Sequence, residues 1–498
     1  MSTRIRRTWH VAFSIVVGFV AVLLLRLFTG VTQRVDSPAA PFYLEARQAS
    51  AQTLNHITNN GTYTVYIPYV SRCWNTDIPP FGIQFYGTLR ASNGLTQAAE
   101  AGARWIRVPV LWESIEPINT TPAKYNWSDL DVSVTNGAQE GIELMLTIGG
   151  QPAWAATYPM GPVTDTEDLL EFVGALVERY DGDGVDDAPG SPRVRYFELY
   201  NEPDNTDTDH AKGGWGLWGE NGDGYAALLR ELYSGIKTSS PGAQLVLGGL
   251  ALDWFKEQGG PFDSHFLDDV LTACQGQDCF DVMNFHYYPL FRPNWEPYGT
   301  DIIGKANFVR QKLAAYGFTD VPVVCTEVSW ASAASLWWGS DELQSRYVVK
   351  GYVRGMAAEL DVIVWFEILD HSDSIEPGLL DNDLRPKPSY WAYQAMTDML
   401  AGAIYQRSLT PAETGSSQVE GYAFQVCGKR LDVVWTEDDT PYDTGDDPSL
   451  PLTVQAQTLR VVDKFGNYVW HDDADDGKVD SQITITVGGS PIYLEYNP

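Results

Sequence analysis

Basic residues are scarce in this chain, and their scarcity excludes a large class of partners. The 498 residues include 33 lysines and arginines against 65 aspartates and glutamates, which gives a formal net charge of -32. Such a field repels the phosphate backbone of nucleic acids and the anionic head groups of lipids. The composition therefore predicts no nucleic-acid partner, whereas an uncharged substrate meets no such repulsion.

Cysteine is rare as well, with five in the whole chain. Paired C-x-x-C spacing is absent from the sequence, so a structural zinc site is not expected. Cys274 and Cys279 enclose four residues, and a disulfide between them could close that short loop. Cys325 lies inside a predicted strand, where we expect a buried free thiol. The sequence does not assign Cys73 and Cys427.

One acidic segment resembles part of a calcium-binding loop. Residues 181–187 alternate aspartate and glycine at the spacing of an EF-hand loop, but they lack its closing bidentate glutamate. We therefore interpret the segment as a solvated acidic loop. The sequence predicts neither a metal site nor a cofactor.

A long hydrophobic run occurs near the N-terminus, at residues 11–28, and follows three arginines. This order is typical of an export signal, and the run approaches the roughly 20 residues needed to span a bilayer. No small-residue cleavage site follows closely, since Ala39 and Ala40 lie well downstream, which favours a retained signal anchor over a cleaved peptide. We expect residues 1–33 to anchor or export the chain and residues 34–79 to form a linker. The body should then be extracytoplasmic, either secreted or attached to the cell surface through this membrane segment.

Short apolar runs alternate with helical segments through the middle of the chain. Apolar residues recur at intervals of three and four in residues 168–180, 225–237 and 342–359, which predicts helices. Eight such β-α units in about 320 residues predict a (β/α)8 TIM barrel over residues 80–400. The predicted strands are residues 82–86, 104–110, 143–148, 194–200, 244–247, 281–285, 321–326 and 361–366.

The pattern changes after residue 400. Short alternating runs are separated by turns rich in aspartate, glycine and proline, which predicts an all-β sandwich domain over residues 401–498. Its predicted strands are residues 421–425, 431–435, 459–462, 482–487 and 492–496. A structural role against the barrel is the favoured interpretation, and carbohydrate binding by this domain is the alternative.

Two glutamates follow predicted barrel strands. The fourth strand runs into Asn201-Glu202-Pro203, and the seventh delivers Glu327. A barrel arranges its strand ends in a ring, so residues after the fourth and seventh strands can face each other across the mouth. A pair of carboxylates flanking a sugar is what glycoside hydrolysis with retention requires. We therefore expect catalytic roles for Glu202 and Glu327.

Other strands lead to side chains suited to the same pocket. Arg107 comes from the second strand and is placed to hold a carboxylate. His286 and Tyr288 are two residues apart after the sixth strand, so they share one face. Trp365 ends the eighth strand and could form a platform beneath a sugar ring.

On these residues the chain resembles the clan A glycoside hydrolases, the retaining (β/α)8-barrel superfamily that includes cellulases and β-xylosidases. The resemblance covers residues 80–400, and a barrel followed by a β-domain is similar to the β-xylosidase-like branch. It implies that Glu202 is the acid/base and Glu327 the nucleophile of a double displacement at O-glycosidic bonds, β-linked, in oligo- or polysaccharides. Asn201 would bind the sugar 2-hydroxyl.

Four more tryptophans are candidates for further sugar subsites, Trp154, Trp330, Trp337 and Trp338. Two alternatives to a hydrolase stay open. A transglycosylase would use the same two glutamates while shielding the intermediate from water. A non-catalytic surface carbohydrate-binding protein would need neither glutamate. The sequence leaves the sugar, the mode of attack and the oligomeric state open.

Overall fold

The computed structural model describes residues 78–156, 161–207, 218–334, 339–371, 375–437 and 448–496. The predicted export segment, Cys73, Trp337 and Trp338 lie outside these residues. Among the helices of the described ranges, none has the length and hydropathy needed to cross a bilayer.

Eight parallel strands form the first sheet, in the order β5-β4-β3-β2-β1-β8-β7-β6. Isolated bridges from Val246 to Val282 and from Leu250 to Phe285 join β5 to β6 and close the ring. The predicted TIM barrel is therefore confirmed. The strands are β1 Phe81–Gln84, β2 Trp105–Leu111, β3 Glu143–Gly149, β4 Tyr196–Asn201, β5 Gln244–Gly249, β6 Met283–Tyr287, β7 Val323–Val328 and β8 Ile363–Trp365.

Helices surround the barrel and bury their apolar stripes against it. In the fourth helix, for example, Leu169, Phe172, Val173 and Leu176 recur at intervals of three and four, and all are buried. The Asp165 side chain accepts a hydrogen bond from the Glu167 amide and so caps that helix. The described helices are α1 Leu95–Glu100, α2 Trp112–Ile115, α3 Ser128–Gln139, α4 Thr166–Arg179, α5 Gly222–Ser239, α6 Phe266–Cys274, α7 Asp301–Ala315, α8 Asp341–Ala357, α9 Pro388–Leu400 and α10 Pro411–Thr414.

Alternation along the strands fills the barrel interior with two kinds of layer. The lower layer is apolar and consists of Trp105, Met145, Val246, Val282, Val324, Val362 and Val364. The next inward-facing positions, toward the carboxyl ends of the strands, are polar and buried. They are Gln84, Arg107, Thr147, Glu198, Asn284 and Thr326. This polar layer forms the floor beneath the barrel mouth.

The C-terminal region is built of β-sheets, as predicted, with one short helix, α10. A six-stranded sheet with the order β14-β13-β16-β11-β10-β9 packs on a two-stranded sheet of β12 and β15. Three of these strands, β9, β12 and β14, were not predicted from the sequence. The strands are β9 Ile404–Ser408, β10 Val419–Val426, β11 Lys429–Thr436, β12 Leu450–Gln455, β13 Thr458–Asp463, β14 Tyr468–Asp472, β15 Gln482–Val487 and β16 Ile492–Tyr496.

The six-stranded sheet uses both of its faces. On one face, Val434 and Leu494 pack with the small sheet around Ile485. On the other, Val433 and Trp435 join the same apolar cluster as the barrel helices. The sandwich is therefore packed against the barrel through a continuous apolar interface.

The cysteine predictions agree with the structure where it describes them. Cys274 and Cys279 form a disulfide. Cys325 is a buried free thiol on β7, as expected. Cys427, which the sequence left unassigned, is also disulfide-bonded.

Candidate active site

The two predicted catalytic glutamates meet at the barrel mouth. A carboxylate oxygen of Glu202 and one of Glu327 lie within 4.8 Å of each other, and both lie within that distance of a His286 ring nitrogen. Retaining glycosidases hold their two carboxyl groups about 5 to 5.5 Å apart. The separation therefore suits a double displacement.

Local backbone irregularities aim the two glutamates. Phe285 of β6 pairs with Cys325 of β7, and the next residue, His286, pairs with Glu327. Thr326 of β7 is therefore an extra residue, which makes a β-bulge. Bulges beside active sites redirect side chains, and this one allows Thr326 and Glu327 to face the interior in succession.

At the end of β4, Tyr200 and Glu202 adopt left-handed backbone conformations, with φ of 65° and 46°. Such conformations are uncommon for residues other than glycine and are sustained only by surrounding contacts. One such contact is the Glu202 amide, which donates to the Gly249 carbonyl at 2.9 Å. Together the two residues turn the chain so that Asn201 and Glu202 reach the pocket.

Arg107 is the centre of the polar floor. Its guanidinium donates two hydrogen bonds to Glu198, at 2.6 and 3.0 Å, one to Glu327 at 2.9 Å and one to Asn201 at 2.7 Å. Burial opposes its charge, but Glu198 and Glu327 outweigh burial and raise the pKa of Arg107. A fixed cation therefore lies beside the proposed nucleophile.

Glu327 is held by two donors. Its Oε1 accepts from Arg107, and its Oε2 accepts from the Tyr288 hydroxyl at 2.6 Å. Burial raises the pKa of Glu327 above its ordinary value, and both donors oppose that rise. Hydrogen bonds and charge that favour the carboxylate are what an ionised nucleophile needs.

Glu202 has a different environment. Burial, and next the charge of Glu327, raise the pKa of Glu202 well above its ordinary value. Its Oε1 lies 3.1 Å from His286 Nδ1. Burial and the positive charges of Arg107 and Lys305 lower the pKa of His286 well below its usual range, so the imidazole is neutral. The surroundings of Glu202 therefore favour its protonated form, whereas two hydrogen-bond donors favour the carboxylate of Glu327.

The amide of Asn201 is oriented by Arg107. Because the guanidinium donates to its Oδ1, the NH2 group of Asn201 is directed away from Arg107. Asn201 is partly exposed, so that NH2 group is available as a donor to a sugar hydroxyl. The structure thus brings Arg107, Asn201, His286 and Tyr288 together with both glutamates.

The predicted tryptophans are placed differently. Trp365 is fully buried on the outer side of β8, where it pairs with Ile83 and donates to the Pro377 carbonyl at 3.0 Å. It therefore does not form the expected sugar platform, because strand alternation turns its side chain toward the helices. The neighbouring Phe366 continues the inward-facing series instead and stacks edge-on with Tyr86, at 6.1 Å between ring centroids.

Trp330 and Trp154 make their described ring contacts with Tyr347 and Trp112, respectively. Trp330 is buried in the apolar cluster against Tyr347. Trp154 is partly buried after β3, where its indole donates to the Glu116 carbonyl at 3.2 Å. Of these rings, Trp154 alone retains an exposed part that a more distant sugar could contact.

Sequence reasoning missed two groups of residues. The first is the floor beneath the glutamates, where Glu198 accepts from Arg107, Thr147, Asn284 and the Gly249 amide. A charged residue inside an otherwise apolar barrel strand was the available signal. Glu198 lies four residues before Glu202, but this spacing indicates that Glu198 points inward only when the left-handed turn at Tyr200 and Glu202 is known.

The second group lies after β8. Glu367 is buried, and its Oε2 lies 2.6 Å from His371 Nδ1. The Tyr86 ring meets the His371 ring edge-on at 5.7 Å between centroids, and burial, followed by the charges of Glu327 and Glu367, raises the pKa of Tyr86 well above its usual range. No sequence motif distinguished these residues.

Two described clusters have the donor atoms to hold a metal ion. In the pocket, Glu202, His286 and Glu327 converge, but the Arg107 cation already binds Glu327. On the surface, the side chains of Asp181, Asp183 and Asp187 converge, and they accept hydrogen bonds from amides of their own loop. Exposed acidic loops of this kind commonly bind only water.

Comparisons with known proteins give a fold and no sequence family. No protein-family model matches the chain, and no curated protein sequence does. Among solved structures, a family 39 glycoside hydrolase from Bacteroides cellulosilyticus WH2 superposes with a TM-score of 0.63 at 21% identity, over 84% of this chain and 81% of that chain.

Other solved enzymes superpose similarly. A family 39 β-xylosidase from Caulobacter crescentus gives a TM-score of 0.57 at 16% identity, over 84% of this chain and 96% of that chain. A family 51 α-L-arabinofuranosidase from Thermotoga petrophila RKU-1 gives a TM-score of 0.57 at 12% identity, over 84% of this chain and 97% of that chain. At these identities the likeness establishes the shared architecture of barrel and sandwich.

Proposed function

We propose that the protein is a retaining glycosidase that cleaves O-glycosidic bonds by double displacement, with Glu327 as nucleophile and Glu202 as acid/base. The observation that carries the proposal is the pair of carboxyl groups within 4.8 Å, each in a different environment. Glu327 faces a cation and a hydroxyl, whereas burial and a neighbouring negative charge favour protonated Glu202. Two titratable groups pushed apart in this way are the mark of an acid and a nucleophile.

In the first step, a Glu327 oxygen attacks the anomeric carbon while Glu202 gives its proton to the departing glycosidic oxygen. The carbon–oxygen bond to the leaving group breaks as the bond to Glu327 forms. Arg107 and Tyr288 hold the attacking carboxylate in place, which reduces the entropy cost of reaching the reactive geometry. Asn201 offers its NH2 group to the 2-hydroxyl, where contacts strengthen in the transition state.

In the second step, water attacks the anomeric carbon, and the bond from that carbon to the Glu327 oxygen breaks as the new carbon–oxygen bond forms. Esterification removes the negative charge of Glu327, which is the second-largest cause of the raised pKa of Glu202. Glu202 has by then lost its proton and takes one from the attacking water. The anomeric configuration is therefore inverted twice and retained overall.

A β-linked oligo- or polysaccharide is the substrate class that we propose. Support comes from the fold, since superposable structures include a family 39 β-xylosidase and a family 30 endoxylanase. The net charge of -32 is further support, because it would repel a polyanionic glycan but not a neutral one.

The proposal is tested by a panel of aryl β-glycosides, followed by proton NMR of the first sugar released. We expect hydrolysis of at least one member, with the β-anomer appearing before mutarotation. Release of the α-anomer would contradict double displacement. Adding a sugar acceptor separates hydrolysis from transglycosylation, because a transglycosylase would give mainly the transfer product.

We also propose that residues 11–28 anchor this enzyme to a membrane, with the barrel outside the cytoplasm. The support is the basic and then apolar order at the N-terminus. Full-length protein should sediment with membranes and stay there in high salt, whereas a chain lacking residues 1–33 should be soluble and active. A mature secreted chain that begins near Ala39 would instead establish cleavage.

A further inference from the structure

A buried chain of polar side chains leads from the floor of the barrel to Glu202. Asn284 Nδ2 donates to Glu198 Oε1 at 2.8 Å, and Thr326 Oγ1 donates to Asn284 Oδ1 at 2.9 Å. His286 Nε2 lies 3.2 Å from the same Thr326 oxygen, and His286 Nδ1 lies 3.1 Å from Glu202 Oε1. Glu198, Asn284, Thr326 and His286 are all 0% exposed, so water does not compete for the contacts among these four residues.

The direction of each hydrogen bond in this series of side chains can be worked out by starting from Glu198. Glu198 accepts from Arg107, Thr147 and the Gly249 amide as well as from Asn284, so it acts as an acceptor in each of these hydrogen bonds. The Asn284 amide must then turn its NH2 group to Glu198 and its oxygen to Thr326. An amide oxygen carries no proton, so the hydroxyl proton of Thr326 lies between Thr326 and Asn284.

The tautomer of His286 is thereby determined. The hydroxyl of Thr326 already donates its one proton to Asn284, so it can only accept from His286. The contact between Thr326 and His286 therefore requires a proton on Nε2. A neutral imidazole has a single N–H, which leaves Nδ1 as an acceptor. Nδ1 faces Glu202, and a hydrogen bond at that position requires the proton to be on the Glu202 carboxyl group.

On this geometry we propose that Glu198, Asn284 and Thr326 are positioning residues, which hold His286 as its Nε2-protonated tautomer and so keep the acid proton on Glu202. The proposal rests on the role of Glu202 in the proposed function and deepens it. Proton delivery to a glycosidic oxygen then needs only rotation of the Glu202 carboxyl group. The chain also aids the second step, because a lone pair of Nδ1 opposite ionised Glu202 increases its affinity for a proton from water.

The charges around this pair support the same assignment. Glu202 is faced by Glu327 from β7, by Asp204 from its own loop, by Arg107 from β2 and by Lys305 from α7. His286 is faced by Arg107 and Lys305, two cations that disfavour a second ring proton, and its Nδ1 also lies 3.6 Å from Glu327 Oε2. Tyr86 and Tyr288 border the same pocket, and burial raises the pKa of each well above its usual range, so both stay neutral.

Gly249 allows the chain to form. A Cβ atom at this position would lie 2.1 Å from His286 Nε2 and 2.9 Å from Thr326 Oγ1, so no other residue fits without displacing them. The amide of Gly249 meanwhile donates to Glu198 at 2.9 Å. Backbone and side chains thus fix the same arrangement from two sides.

The tautomer itself can be measured without an enzyme assay. Nitrogen NMR of full-length protein labelled in histidine distinguishes protonated from unprotonated ring nitrogens, and a His286→Asn variant identifies the resonance among the seven histidines. We expect Nε2 protonated and Nδ1 unprotonated at neutral pH. A proton on Nδ1, or on both nitrogens, would overturn the inference whatever the activity of the protein.

The pH profile tests the consequence for Glu202. Thr326→Val removes the acceptor of Nε2–H, so His286 can shift its proton to Nδ1 and stabilise ionised Glu202. Because kcat/KM is lost as pH rises through the pKa of Glu202, a lower pKa moves the alkaline limb to lower pH. We expect a shift of about one pH unit, the size that a hydrogen bond to a charged group supports.

Two further variants separate positioning from general damage. Thr326→Ser keeps the hydroxyl and should restore the wild-type position of the limb even if packing lowers the rate. Thr147→Val removes another buried donor to Glu198, but Thr147 is not part of the hydrogen-bond chain that leads to Glu202. The alkaline limb of the pH profile should therefore stay in place in this variant. An unshifted limb in folded Thr326→Val, or an equal shift in Thr147→Val, would refute the inference while leaving the roles of Glu202 and Glu327 intact.

Discussion

Glu327→Gln is expected to abolish turnover of every glycoside, with kcat/KM lower by about 10⁴-fold or more, because the amide can neither attack the anomeric carbon nor leave in the second step. The substitution keeps the size of the side chain, and its oxygen can still accept from Arg107 or Tyr288, so folding should be retained. The check is steady-state kinetics on an activated aryl glycoside, with far-ultraviolet circular dichroism to establish folding.

Glu202→Ala completes the assignment, because loss of an acid/base affects the kinetics differently from loss of a nucleophile. Substrates with good leaving groups need no proton, so they should form the glycosyl-enzyme and accumulate it, whereas substrates with poor leaving groups should lose about 10²–10⁴-fold. Added azide can replace water as the nucleophile and should rescue Glu202→Ala but not Glu327→Gln. Azide rescue of Glu327→Gln with retained configuration would reverse the two roles.

A matched control comes from Glu116, a buried carboxyl group that accepts from the Trp112 indole at 2.8 Å. Glu116→Gln preserves an acceptor for that indole and contacts neither catalytic glutamate in the described structure. Its turnover should stay near that of the wild type. A loss comparable to that of Glu327→Gln would show that kinetics report general disruption of the barrel mouth.

The pair of glutamates could be predicted because a parallel barrel imposes its own geometry. Once eight strands are recognised, the residue after each strand must lie on one rim, so Glu202, Glu327 and Tyr288 converge without any knowledge of side-chain packing. Arg107 follows from the same argument, since it is inward-facing on β2. The strand count and the strand ends therefore carry most of the information in the sequence about this site.

Trp365 shows where that argument fails. A strand end specifies a rim position, but alternation decides whether the side chain enters the barrel or the helix layer, and a one-residue difference reverses the answer. The β-bulge at Thr326 is a second case, since it places two successive side chains in the interior. Neither the direction at β8 nor the bulge is determined by local sequence, because both depend on pairing with neighbouring strands.

The missed strands of the sandwich have another cause. Most side chains of β9 and β14 are exposed, so their sequences lack the alternation of apolar and polar residues that indicates a half-buried strand. β12 begins with Leu450 and Pro451, and proline within a run argues against a strand. These segments are strands because neighbouring strands of the same chain offer backbone partners.

The largest expected loss of stability lies between the two parts of the fold. Arg354 on α8 is 1% exposed and binds three carboxylates, Asp301 from the barrel and Glu420 and Glu437 from the sandwich. Two of these contacts, at 2.9 and 2.7 Å, form a fork on Glu420. Methionine would keep part of the volume of Arg354 but would leave buried Asp301 and the partly buried Glu420 and Glu437 without this cation.

Arg354→Met should therefore lower the free energy of unfolding by about 3–5 kcal/mol, the range for breaking a buried ion pair from one side. Urea unfolding followed by tryptophan fluorescence measures the change. Arg385→Met is the control, since the side chain of Arg385 is 72% exposed in its pairs with Asp381 and Asp383, and exposed ion pairs contribute little to stability. Equal losses in the two variants would contradict a special role of the buried cluster.

The pH dependence of Arg354→Met identifies the interaction that is lost. Burial opposes ionisation of Glu437, but the charges of Arg354, Lys350 and Arg292 outweigh burial and lower its pKa far below the ordinary value of 4.5. A carboxyl group with a lowered pKa contributes its full stability above the unfolded value and loses it as pH falls toward the folded value. The difference in unfolding free energy between wild type and Arg354→Met should thus be greatest near neutral pH and narrow below about pH 4.5. A difference that stays constant with pH would indicate lost packing against Trp435, over which the Arg354 guanidinium lies at 5.3 Å, and not lost charge pairing.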